Sequence, residues 1–365
     1  MKLKGVNYDV GSVMYFNWRP DFDPKTVIRE IEIIKNDLHC NAIRITGLDI
    51  NRLIASTQIA LKQGLEVWLC PTVWNKKQDQ TLAYTQRVAE SAEKLRREYP
   101  ESLAFVVGGE LSLFMNGILE GRNVMERMTK LMTRYKQQQN NTERANPAEA
   151  ISRLRDAEFN ERLRAYLQKT VSSIRQVFRG KITYASLSWE SVDWSLFDYV
   201  AVDHYRAERI KAQYVEMLNP AFEFGKPVVI TEFGVQTYQG AEINGAGLGG
   251  NIIDGKSQAF HSLPLIGRFV RPKLIGDHVR DEGLQARELL DQLSVLDKAG
   301  VYGAFVSVFV SQIHPYDENP KYDLDMGSMS LVKTYSRGKH GATYPDMTWE
   351  PKESFRAVAD YFAKN

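Results

Sequence analysis

The chain predicts an α/β fold, a single (β/α)8 barrel of the TIM type, on three observations. Along its 365 residues, short apolar runs alternate with longer amphipathic ones about eight times. Several of the runs, FVV and VVI among them, lack in–out alternation and read as strands covered on both faces. No glycine-rich phosphate loop follows the first run, which places a doubly wound open sheet second.

Strands are expected at 4–9, 42–46, 66–71, 103–110, 182–188, 199–205, 227–233 and 301–310, each an apolar run bounded by turn signals. Helices are expected between most of them. The stretch 26–38 carries Val27, Ile28, Ile31, Ile34 and Leu38 at helical spacing. The stretch 49–63 carries Leu53, Ile54, Ile59 and Leu61 and stops at Gly64. Further helices are expected at 79–99, at 284–299 before Gly300, and at 352–363.

Two excursions interrupt this rhythm. Residues 121–180 are too long for one barrel helix and read as a helical insertion after strand four, a hairpin with a polar tip. For the tip, 136–147, a disordered loop is the alternative. Residues 236–283, with GAGLGG at 245–250, form a long loop after strand seven. A loop leaving the C-terminal end of a barrel strand belongs on the active-site face. No repeat or composition break divides 1–365 into a second domain.

The charge balance, 47 basic against 45 acidic residues, excludes a nucleic-acid binder driven by bulk electrostatics. The Arg-rich stretch 153–164 reads as a solvated helix face with pairs such as Glu158–Arg162. MKLKGVNYDVG has no apolar signal core, and no stretch approaches the roughly 18 apolar residues of a membrane span, so a cytoplasmic protein is expected, with no membrane partner. Cys40 and Cys70 read as small buried thiols rather than a disulfide framework, with a catalytic thiol as the alternative. The oligomeric state is not legible.

Barrel chemistry sits at the C-terminal ends of the strands. Strand four ends VVGGELS, placing Glu110 at the edge, and strand seven ends VVITEFG, placing Glu232 there. A carboxylate after an apolar run is costly without a purpose. Two of them facing one cleft suit glycoside hydrolysis, one protonated as the acid and the other ionised as nucleophile or base. The plainer reading of either is an ion pair with a barrel arginine.

With these motifs the chain resembles the large clan of retaining (β/α)8 glycoside hydrolases called clan A, or the 4/7 superfamily. In that clan the acid/base is a Glu ending strand four and the nucleophile a Glu ending strand seven, matched here by Glu110 in GGELS and Glu232 in TEFG. The resemblance further implies that Arg44, in IRITG, contacts the nucleophile and that Tyr205, in VDHY, hydrogen-bonds it. It implies a carbohydrate substrate and no cofactor. The pattern is also similar to bacterial proteins labelled abortive phage infection protein, although no such activity follows from these residues.

The departures from the clan are specific. The clan usually has Asn before the strand-four Glu, where Gly109 stands here, and His two places before the strand-six Tyr, where Asp203 stands. His204 falls on the other face by strand alternation. Strand eight ends FVSQIHPY, without the usual Trp. These changes put glucose- and mannose-type substrates in question.

Aromatic faces near a polar cleft stack on sugar rings, and Trp74 and Trp189, just past strands three and five, are candidates. Trp68 lies within a strand and reads as core, while Trp18 is placed to wall the cleft. Tyr8 and Asp9 end strand one and are expected to face the site together, Asp9 alternatively capping the turn at Gly11. The acidic segment 314–325, with His314, Asp317, Glu318, Asp323 and Asp325, is a weak calcium candidate against the plainer reading of a polar loop. The histidines show no zinc spacing, and no metal is expected.

The expected function is a retaining glycoside hydrolase or transglycosidase, with Arg44 and Tyr205 keeping Glu232 ionised and aimed. Two alternatives stand beside it: a non-catalytic carbohydrate-binding or defence-related protein on a degenerate barrel, and a metal-dependent barrel enzyme using 314–325.

Overall fold

A computed structural model describes residues 1–13, 16–17, 19, 22–140, 147–245, 252–261, 267–336 and 338–365. Trp18, the tip at 141–146 and most of GAGLGG lie outside the described residues.

All eight apolar runs become strands of one closed parallel barrel. They are β1 (Leu3–Asp9), β2 (Ala42–Gly47), β3 (Glu66–Pro71), β4 (Leu103–Gly109), β5 (Lys181–Ser186), β6 (Val200–Asp203), β7 (Val228–Phe233) and β8 (Gly303–Val306). β8 pairs with β1 and closes the ring. The strands run in sequence order around it, as right-handed βαβ crossovers require.

Alternation divides the barrel's side chains into two cores. Trp68 and Cys70 of β3 join Ala42, Ala104, Val106, Ala185, Tyr199, Ala201, Val229 and Phe305 in a cluster that fills the interior. Their neighbours Val67 and Leu69 belong to the larger cluster between barrel and helices. Trp68 is therefore core, its ring 4.9 Å from that of Tyr199 and 5.3 Å from that of Phe305.

The helical layer comprises α1 (Pro24–Asn36), α2 (Ile50–Lys62), α3 (Gln78–Glu98), α4 (Val124–Asn140), α5 (Pro147–Arg155), α6 (Phe159–Val177), α7 (Glu282–Lys298) and α8 (Glu353–Lys364). Asp23, Asp49 and Asp281 cap α1, α2 and α7, each accepting a backbone N–H of the first turn. The stretch 121–180 resolves into α4 and α5, which pack on one another, and α6, the barrel helix, which lies against α3 and β4. Apart from β6, the described chain between β5 and β7 forms only short helical turns, the longest Glu208–Gln213. Beside them a cavity of about 170 Å³ opens on the barrel flank, lined by Ser186, Leu187, His204, Leu218 and Phe224 among others.

The Arg-rich stretch is less solvated than expected. Arg162 does pair with Glu158 at 2.8 Å. However, Arg155, Arg162 and Arg164 also donate inward, to Ser188 O, Ile118 O and the Ser191 hydroxyl. Among the described residues no helix is long and apolar enough to cross a membrane.

Tyr8 corrects the sequence reading. Its ring is fully buried outside the barrel, and its hydroxyl donates to Glu30 Oε2 of α1 at 2.5 Å and accepts from Arg19. Glu30 also pairs with Arg19 and accepts from Trp349 Nε1 at 3.0 Å. Adjacent strand residues point to opposite faces, so Tyr8 and Asp9 could not both face the site. We expect Glu30→Ala to leave Arg19 buried without its carboxylate and to cost about 3–5 kcal/mol, read as a lowered urea midpoint with unchanged slope. A loss below about 1 kcal/mol would show that the cluster is not a structural anchor.

Candidate active site

The mouth of the barrel gathers five of the predicted residues, Arg44, Glu110, Asp203, Tyr205 and Glu232. Arg44 of β2 is buried and donates from Nη1 to Glu232 Oε1 at 2.6 Å. Tyr205, two residues past the end of β6, donates to Glu232 Oε2 at 2.5 Å. Asp203 of β6 stands in register with Glu232 of β7. Both oxygens of Glu232 therefore accept from partners on neighbouring parts of the barrel, which fixes the carboxylate's orientation.

Arg44 is itself held in place. Nη1 also donates to Asn7 Oδ1 at 3.1 Å, and Nη2 reaches Cys70 Sγ at 3.4 Å. Asn7 Nδ2 donates to Thr231 O at 3.0 Å, tying β1 to β7 under the site. Burial opposes the charge of Arg44, the Glu232 and Asp203 carboxylates and the hydrogen bond to Glu232 favour it, and its pKa is raised. Burial pushes the Cys70 thiol up, so it serves as a neutral acceptor rather than a thiolate.

Glu110 follows β4 directly and adopts a left-handed backbone, φ 52°. That conformation costs a non-glycine residue roughly 1 kcal/mol or more and persists only where neighbours impose it. The pairing of β4 with β5 shifts register between Val106 and Gly109, and Glu110 N donates to Ala185 O at 2.9 Å. Bulges of this kind re-aim side chains at barrel rims. Burial first, then the charges of Asp203, Glu232 and Glu190, push the Glu110 carboxyl well above the usual carboxylate range, with Arg44 opposing.

Asp203 is almost wholly buried, and neither of its oxygens has a hydrogen-bond partner among the described residues. Burial first and then the charge of Glu232 push its pKa well up, while the Arg44 guanidinium works the other way. His204 points away from the site, as alternation predicts. It stacks on Tyr214 with ring centroids 4.1 Å apart and meets Tyr214 O at 2.7 Å. Burial lowers its pKa to about 4.

The remaining candidates divide. Trp189 is partly buried, and its Nε1 donates to the Ser112 hydroxyl, two residues past Glu110, at 3.3 Å. Trp74 stacks on Phe114, ring centroids 4.0 Å apart at 11°, and its buried Nε1 has no partner among the described residues. Asp9 accepts from Gly11 N at 2.5 Å, so it caps the turn. Burial raises it to about 6 against that hydrogen bond and Arg19.

The acidic segment 314–325 is occupied by ion pairs. Asp323 and Asp325 pair with Arg280, Asp325 with Lys352 at 2.8 Å, and Asp317 with Arg271. Among the described residues, no three His, Cys, Asp or Glu are grouped to hold a metal.

Sequence reasoning missed Glu190, in LSWES. It is buried and accepts from Ser112 N at 2.9 Å, Leu187 N at 3.0 Å and the Tyr184 hydroxyl at 2.8 Å. An acidic residue one place after a candidate site tryptophan was the only signal.

No protein-family model matches the chain, and no curated protein matches it in sequence. Solved structures do match in fold. A β-1,4-mannanase of glycoside hydrolase family 113 superimposes with a TM-score of 0.58 at 13% identity, covering 100% of this chain and 99% of its own. The family 113 β-mannanase from Alicyclobacillus acidocaldarius gives 0.56 at 14% identity, covering 99% and 97%. β-Glucuronidase 2 of Bacteroides uniformis gives 0.54 at 14%, covering all of this chain and 35% of that one. The chain thus shares the (β/α)8 barrel fold of these glycoside hydrolases. Nothing in these comparisons bears on phage infection.

The unpartnered carboxyl of Asp203 predicts a pH-dependent stability effect. A carboxyl with a raised folded pKa binds its proton more tightly folded than unfolded, so its cost appears as pH rises above the unfolded value of about 4. Asp203→Asn is therefore expected to stabilise the protein at pH 8 by on the order of 1 kcal/mol, about 1–2 °C in Tm. At pH 3 the gain should vanish. Thermal melts at the two pH values check this, and a gain independent of pH would contradict it.

Proposed function

We propose that the protein is a retaining glycoside hydrolase, or a transglycosidase of the same chemistry, acting on a carbohydrate. The observation that carries the reading is the asymmetry of the two strand-end glutamates. Glu232 accepts from a cation and a phenol, whereas burial and three carboxylates favour the proton on Glu110. A carboxyl that favours its proton beside one held by a cation and a phenol suits the roles of acid and of base or nucleophile.

In the first step Glu232 Oε attacks the anomeric carbon. The glycosidic C–O bond breaks, and Glu110 gives its proton to the leaving oxygen. A glycosyl ester on Glu232 results. Glu110, now ionised, takes a proton from water as that water attacks the anomeric carbon and releases Glu232. With a sugar hydroxyl in place of water the outcome is transglycosylation. Asp203 would receive a sugar hydroxyl on its unpartnered oxygens, and Trp74 and Trp189 would line the subsites.

A second reading, a carbohydrate-binding barrel without turnover, is favoured by Gly109. A Cβ there would lie 3.3 Å from both Arg44 Nη2 and Ala185 Cβ, so the clan's usual Asn has no ready place. Hydrolysis of an aryl-glycoside panel separates the two. Glu232→Gln should lower turnover at least about 1,000-fold with the fold intact, and Glu110→Gln about 100–10,000-fold. Sugar binding without hydrolysis by the wild type would favour the second reading. The acid must be protonated, so kcat/KM should fall only as pH rises through the raised pKa of Glu110. A profile falling away already between pH 4 and 5 would contradict the assignment.

A further inference from the structure

We infer that Glu190, with Tyr184, is the positioning pair that holds the backbone of the acid/base Glu110; this rests on the function proposed above. The short helical turn Leu111–Phe114 begins directly after Glu110. Its first two N–H groups would be orphans at a helix start. Leu111 N instead donates to the Tyr184 hydroxyl at 2.8 Å, and Ser112 N donates to Glu190 Oε1 at 2.9 Å.

The two acceptors are themselves joined. The Tyr184 hydroxyl donates to Glu190 Oε2 at 2.8 Å, and Leu187 N donates to the same oxygen at 3.0 Å. On the other side of Glu110, its own N–H is held by Ala185 O. Thus β5 and the loop after it grip the chain immediately before and immediately after the acid/base. The left-handed conformation of Glu110 is what this grip enforces. All of these groups except Glu110 itself are buried or backbone, so water does not compete for the bonds.

The carboxylate has a second effect. The charged groups facing Glu110 are Arg44 from β2, Asp203 from β6, Glu232 from β7 and Glu190 from the loop after β5, with the phenols of Tyr184 and Tyr205 beside them. Glu190 is the carboxylate of this set that also holds the backbone. Burial raises its own pKa, but the N–H and O–H groups donating to it favour its charge.

The test uses kcat/KM for two aryl glycosides of one sugar, with a poor and a good leaving group. A dinitrophenolate leaves without a proton, whereas a poor leaving group needs Glu110 to supply one. Glu190→Gln should lower kcat/KM for the poor leaving group about 10–100-fold. It should leave the dinitrophenyl glycoside within about twofold and move the alkaline limb of the profile to lower pH. Tyr184→Phe removes the acceptor of Leu111 N without removing a charge. It should show the same leaving-group selectivity with little movement of the limb, which keeps the test decisive if Glu190→Gln does not fold. Equal losses on both substrates, or no loss on either, would overturn the inference. Glu110→Gln is the reference. If it too shows no leaving-group selectivity, the proposed function fails rather than the positioning role.

Discussion

The candidate site depends on one buried guanidinium. Arg44 rises from β2 into a mouth that holds Glu110, Asp203 and Glu232, and its ion pair with Glu232 is made largely out of water. A buried pair of this kind is retained only where its geometry is good and its remaining valences are met. Asn7 and Cys70 meet two of them, and Nε has no partner among the described residues. Because Arg44 is committed to Glu232, the other two carboxyls face each other without a matching cation. That imbalance favours a proton on Glu110 and leaves Asp203 bare.

Around this charge arrangement the barrel supplies rigidity from unexpected places. Register shifts interrupt the pairing of β4 with β5, β6 with β7 and β7 with β8, each close to a site residue. The loop after β5 is tied in turn to the helical insertion. Buried Asn160 of α6 donates to Trp189 O at 3.1 Å and accepts from Ser191 N at 2.9 Å. The excursion after β4 thus braces the loop that carries Trp189 and Glu190. On the far side, the ion pairs of Arg280 and Lys352 with Asp323 and Asp325 join the excursion after β7 to the segment after β8 and to the residue before α8. The acidic rim that resembles a cation site in sequence is a clamp in the fold.

What the sequence revealed followed from strong local signals. Eight apolar runs with covered faces predict eight barrel strands, and glutamates closing two of them mark the mouth. Arg44 and Tyr205 came from a family resemblance, and both touch Glu232. The errors have local causes as well. Tyr8 looked like a cleft residue because it ends a strand, but alternation places it outside, where a buried glutamate twenty-two residues on receives it. Asp9 took the turn-capping alternative that the sequence also offered, its carboxylate accepting from Gly11 N two residues on. Glu190 was invisible because the partner that ties it to the site, Ser112 N, lies 78 residues away, while its near partners, Leu187 N and the Tyr184 hydroxyl, follow no motif. No periodicity or motif encodes such a contact; it arises only when β5 pairs alongside β4 in the barrel.

The central claim is that Glu232 is the nucleophile and Glu110 the acid/base. Its most direct test is covalent trapping with 2-deoxy-2-fluoroglycosyl fluorides of those sugars whose aryl glycosides the protein hydrolyses. The fluorine slows both steps by destabilising the oxocarbenium-like transition state, while a fluoride leaves without help, so the glycosyl ester accumulates. Intact mass followed by peptide mapping is expected to place one fluorosugar on Glu232, and Glu232→Gln should take up none. Turnover without an adduct, or an adduct on another residue, would contradict the account.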